Sequence, residues 1–179
     1  MKIIKKEIRL YASPKAVITQ FLHLPGKNRI KNVVERVKNL SDEDVDNCVN
    51  EIKKDFANRH YSLNDTLLQH FKNIEIQYGD NMFSHLSSHK KLLIGAYFTK
   101  EYSIQAAALF NPSIVSHPDQ SGLQQCEQRF IMSLRATGEG HISSVIFKTG
   151  IANRQNDIIL DESSGNFTCL KKNEKSVYE

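Results

Sequence analysis

The chain has 179 residues, 40% of them hydrophobic and 25% charged, with a formal net charge of +4. That is the balance of a globular chain long enough to bury a core, and it excludes a disordered or collagen-like one. The basic excess sits in residues 1–100, with 17 Lys/Arg against 11 Asp/Glu, whereas residues 101–179 carry 7 against 9.

Acidic residues interrupt the basic ones along 31–56, KNVVERVKNLSDEDVDNCVNEIKKDF, which reads as a solvated helix surface. No concentrated basic stripe or nucleic-acid module is present, so no nucleic-acid partner is expected. Cys48, Cys126 and Cys169 are far apart with no CxxC spacing, which argues against a disulfide framework or a zinc site. Free thiols in a reducing cytoplasm follow. The opening MKIIKKEIRLY lacks the apolar region of a secretory leader. No apolar run nears the ~20 residues of a membrane span. A cytoplasmic protein with no membrane partner is the expectation.

Residues 2–11 alternate Ile4, Lys6, Ile8 and Leu10 with Lys5, Glu7 and Arg9, a strand-like pattern. Ser13-Pro14 then predicts a capped short helix over residues 14–24. A second helix is expected over residues 28–40, with Ile30, Val33, Val34 and Val37 on one face. Ser41, followed by Asp42, Glu43 and Asp44, opens a third, whose stripe is Val45, Cys48, Val49, Ile52 and Phe56. Ser62 caps a fourth, which Gly79 ends. A fifth starts near Ser88 and continues with a bend to Phe110, where Ala106, Ala107 and Ala108 suit close helix packing.

At Asn111 the pattern changes. Residues 129–134, 142–147 and 157–160 are short β-like runs that predict an antiparallel meander. The fold class expected is therefore α+β. Residues 1–110 form a region with a short strand and about five helices, and residues 111–179 a partial sheet and tail.

Candidate chemistry lies between the first two runs. Arg135 ends a strand and can offer its planar fork to hydroxyl or phosphate oxygens. Glu139 and His141 are titratable groups in the Gly-bearing segment that follows. Ser143 and Ser144 open the next strand, one on each face. Asn111 precedes Pro112 at an expected helix-to-strand turn, and its amide suits sugar hydroxyls. There is no GxxxxGK[ST] loop and no GxSxG elbow. His117, Asp119 and His141 lack any metal-ligand spacing, so no metal is expected.

The stretches NPSIVSHPDQSGL and RFIMSLRATGEGHISSVIFKTGI resemble the first propeller blade of glycoside hydrolase family 130, inverting β-mannosidases and mannoside phosphorylases. LSDEDV, DFANRH and LLIGAYFTKEYSIQAAALFNPS resemble the helical extension of a longer subgroup. The resemblance implies the first blade of an incomplete five-bladed β-propeller, in an N-terminal fragment of an enzyme of carbohydrate metabolism. It places Asn111, Arg135 and Ser143 or Ser144 in the subsite for the reacting mannose, with Glu139 and His141 in an extended turn. The proton donor is expected beyond Glu179, leaving the chain inactive alone. No cofactor is implied beyond inorganic phosphate as co-substrate of a phosphorylase, and the partner is a β-mannoside. The alternative is a helical interaction or homo-oligomerisation module with a remnant sheet and no catalysis.

Overall fold

The computed structural model of the protein describes residues 6–155 and 157–161. It is an α+β fold with N-terminal helices followed by an antiparallel sheet. In chain order the elements are β1 (Val17–Phe21), α1 (Lys27–Lys38), α2 (Asp42–Phe56), α3 (Leu63–Tyr78), α4 (Ser88–Tyr97), β2 (Thr99–Ser103), β3 (Ala108–Ser116), β4 (Gln128–Thr137), β5 (Ser143–Ala152) and β6 (Ile158–Leu160). β1 pairs with β2, and β3-β4-β5-β6 form a four-stranded antiparallel meander. The described residues divide into a helical unit, 18–101, and a sheet unit made of 6–17 and 102–161.

The helical unit is built on the apolar stripes of its sequence. Val34 and Val37 of α1, Val45 and Val49 of α2, Ile74 of α3 and Ile94 of α4 are all fully buried, as is Phe98. The Ser41 hydroxyl accepts a hydrogen bond from the Asp44 N–H at 3.1 Å, satisfying a donor that the first turn of α2 leaves unpaired. Three acidic residues in that turn face the positive end of the helix dipole. Ser41→Ala should lower stability by about 1 kcal/mol, read from the urea midpoint.

His70 of α3 is buried, and its Nδ1 lies 2.7 Å from the Thr99 hydroxyl. Thr99 donates its single proton to the Gly95 carbonyl at 2.8 Å. The His70 Nδ1 must therefore carry the proton that it shares with Thr99. Burial pushes the imidazole below its ordinary value of 6.5, because the buried ring cannot be hydrated as a cation. The unfolded chain then takes up this proton first as the pH drops. The stability this group supports is whole above about pH 6.5 and is lost as the pH falls towards the folded-state value. The urea midpoint should fall between about pH 7 and about pH 5, and His70→Asn should shrink that fall.

The buried face of the sheet is formed by Phe130, Met132, Leu134 and Ala136 of β4 with Ile146 of β5. Ala16, Tyr102 and Ile104 are buried in the same unit. The Ile104 N–H donates to the Ala16 carbonyl at 2.9 Å, and Lys6 Nζ pairs with Asp157 Oδ1 at 2.8 Å. The Lys6 contact and a hydrogen bond from Asn153 hold the Asp157 carboxyl below the usual carboxylate range.

Several elements differ from expectation. Of the strand over residues 2–11, residues 6–11 form no strand and residues 2–5 lie outside the described residues. The expected helix over residues 14–24 is instead a strand, β1, whose Val17, Ile18 and Thr19 are β-branched and favour a pleated pairing. Ser62 stands before α3 in a left-handed conformation and makes no capping bond through its side chain. The last helix stops at Tyr97, where Thr99 caps the Gly95 carbonyl, and residues 99–110 hold β2 and the start of β3. Four α-helices, not five, are present among the described residues.

The sheet departs from expectation in its architecture. It is one open meander of four strands, and no closure of further sheets around an axis is present among the described residues. The expected first blade of an incomplete five-bladed β-propeller is therefore corrected to a four-stranded antiparallel sheet.

Candidate functional site

The hairpin β4–β5 brings the candidate residues together. Its register pairs Thr137 with Ser143, Ala136 with Ser144 and Arg135 with Val145. Side chains alternate along a strand, so Arg135, Thr137, Ser143, Val145 and Phe147 share the open face, and Ser144 lies on the other. Arg135 Nε and Nη2 both donate to Ser143 Oγ, at 3.1 and 3.0 Å. Its guanidinium carbon stands 5.3 Å from the centre of the Phe110 ring, a cation–π contact from the residue paired with it on β3. The fork is thus held on two sides in an exposed position, and Ser143, not Ser144, is the serine beside it.

Asn111 is not at a helix-to-strand turn. It lies within β3, where the register jumps from Phe110 opposite Arg135 to Ser113 opposite Ser133. One residue too many on β3 makes a bulge. Asn111 takes φ 53 there, a left-handed conformation that Asn tolerates better than most residues. Both Asn111 and Pro112 are exposed.

Glu139 and His141 lie in a 3-10 turn between β4 and β5. The Glu139 carboxylate accepts from the Ser103 N–H at 3.3 Å, and its carbonyl accepts from the Tyr102 hydroxyl at 3.1 Å. Glu139 is thereby engaged with β2 rather than with Arg135. Gly138 makes room for this arrangement, since a Cβ there would overlap the Tyr102 hydroxyl and the Ser103 carbonyl. His141 is exposed and makes no side-chain hydrogen bond or ion pair among the described residues. Elsewhere, His117 Nδ1 accepts from the Asp119 N–H at 3.0 Å, and Asp119 pairs with Arg129 at 3.4 Å. Among the described residues no three His, Cys, Asp or Glu side chains converge to hold a metal ion.

Phe110 is the residue that sequence reasoning missed, because it was assigned to the end of a helix. The one local signal was Pro112, which disfavours helix at the residue before it and so argues against a helix running on through Asn111.

The open face is also apolar. Val145 and Phe147 are 66% and 60% exposed, and Val115 and Ile159 are similarly open. The face therefore offers a held cationic fork beside an uncovered hydrocarbon surface. No helix among the described residues is long and apolar enough to cross a membrane. No protein-family model, curated protein or solved structure matches the chain. The expected identity as a glycosidase, hydrolase, glycosyltransferase or mannoside phosphorylase is corrected, because no matching family supports it and no propeller closure is present among the described residues.

Proposed function

We propose that the open face of the sheet binds a carbohydrate, a β-mannoside by the resemblance of residues 111–150, as one wall of a sugar site and without turnover of its own. The observation that carries this is Arg135. Two of its nitrogens donate to Ser143 and its guanidinium lies over Phe110, and in this exposed position the fork's remaining N–H donors have no partner among the described residues. A pyranose has hydroxyls around its rim and a C–H face. The fork suits the hydroxyls, and exposed Val145 and Phe147 on the same sheet face suit the C–H surface. Asn111 in its bulge adds an exposed amide to the strand that carries Phe110.

Turnover with inversion needs a proton donor on one side of the glycosidic bond and an attacking group on the other. Glu139 is committed to the Ser103 N–H. Incubation with β-mannobioses, with or without inorganic phosphate, should release no mannose.

Calorimetric titration with methyl β-mannoside tests the binding. Saturable binding is expected. Loss of a charge-assisted hydrogen bond in Arg135→Ala should weaken it by about tenfold or more. Ser143→Ala, which frees the fork, should weaken it less. An Arg135→Ala variant that binds like the parent chain would overturn the proposal.

The exposed apolar side chains favour a second reading, an interaction module without a sugar ligand. It requires sedimentation to show concentration-dependent association that Val145→Ser with Phe147→Ser abolishes. A chain that stays monomeric and binds the sugar excludes it.

A further inference from the structure

The helical unit holds a groove of about 390 Å³ that the sugar reading does not use. Its volume falls in the range of small-molecule sites. Its floor is hydrocarbon, from Ile52 and Phe56 of α2, Leu63 and Leu67 of α3, and Leu93 and Ala96 of α4. Among the described residues that line it, the charged groups are all of one sign or neutral. Glu51, Asp55 and Glu101 line it, with His60, and no Lys or Arg does.

These carboxylates are not equivalent. Glu101 is already engaged, by His60 Nε2 at 2.6 Å and by Arg59 at 3.3 Å. His60 is itself only 6% exposed, so this pair forms a fixed, built wall. Glu51 and Asp55 stand one turn apart on α2 and form no ion pair with any described residue. The Thr99 hydroxyl at the groove has its proton committed to the Gly95 carbonyl, so it offers only acceptor character. Walls of low polarity focus the field of the two open carboxylates into the groove.

We propose that this groove is a binding site for a small organic ammonium ion with an apolar body. The hydrocarbon part would lie on Leu67 and Leu93, with the ammonium between Glu51 and Asp55. A carboxylate or phosphate ligand meets the two open carboxylates as like charges there. A neutral ligand of the same shape gains the apolar floor and nothing from the rim. The inference rests on the cavity and its charge, independently of the sheet face.

The test uses three probes of one chain length, n-hexylammonium, n-hexanol and hexanoate, followed by calorimetry and by methyl resonances of the isotope-labelled chain. Hexylammonium should bind saturably, shift the Leu67 and Leu93 methyls, and bind at least about tenfold more tightly than hexanol. Hexanoate should not compete. Glu51 and Asp55 are exposed, so the double variant Glu51→Gln, Asp55→Asn should fold and should lose the preference for the cation. Equal affinity for hexylammonium and hexanol, methyl shifts confined to other residues, a preference retained in the double variant, or no binding of the ammonium would each overturn the proposal.

Discussion

Phe98→Ala should destabilise the helical unit by about 4 kcal/mol. Phe98 follows α4 and is among the fully buried side chains. It stacks on Phe21 of β1 with ring centres 6.4 Å apart. Its backbone carbonyl accepts the Leu22 N–H at 2.8 Å and so fixes the strand on which Phe21 stands. Truncation removes the transfer energy of an aromatic ring and leaves a void. Phe98 belongs to one buried cluster with Val34, Val37 and Ile94, and a close-packed core of that kind has little room to collapse. A loss of this size is a large part of the ~5–15 kcal/mol that holds an ordinary domain folded. The urea midpoint followed by far-ultraviolet circular dichroism should drop sharply. Ile76→Ser, on an 82% exposed residue of the same unit, should barely move it. Equal effects of the two substitutions would show that this core is misplaced.

Gly95→Ala should cost about 3 kcal/mol, although Ala is the better helix former by about 1 kcal/mol. Gly95 is in the last turn of α4 and buried. A Cβ there would overlap the Leu67 backbone carbonyl of α3. That obstacle is backbone, so no rotamer change relieves it and the two helices must separate. Separation would also loosen the groove lined by Leu67 and Leu93, and it would disturb the Thr99 bond to the Gly95 carbonyl. The sign is the informative part. Helix propensity alone makes the variant more stable, and close helix packing makes it less so. An unchanged or raised midpoint would rule out the close approach of α3 and α4.

What could be read from the sequence was what depended on neighbours in the chain. Ser41 with three acidic residues behind it, and Val45 and Val49 at helical spacing, gave α2 its start and its buried face. The alternation around Phe130, Met132 and Leu134 gave β4. Ser13-Pro14 carried a good local signal for a helix, but β1 was decided by pairing with β2, some eighty residues later along the chain. The run through Ala106–Ala108 looked helical because alanine favours helix when nothing else intervenes, and the pairing of Ala108 with Thr137 intervened. Arg135 and Ser143 were legible as neighbours because a hairpin joins them. Phe110 was not, because its place under Arg135 depends on register across a different strand pair and on the bulge beside it.

The central claim is that Arg135, held by Ser143 and Phe110, recognises a β-mannoside on the open face of the sheet. Titration of the isotope-labelled chain with methyl β-mannoside, following the Arg135 Nε–H resonance, tests it most directly. A saturable shift of that resonance, with accompanying shifts at Ser143, Val145 and Phe147 and none in Arg135→Ala, is the result predicted. A resonance unmoved at saturating sugar, or shifts confined to residues away from β4 and β5, would contradict it.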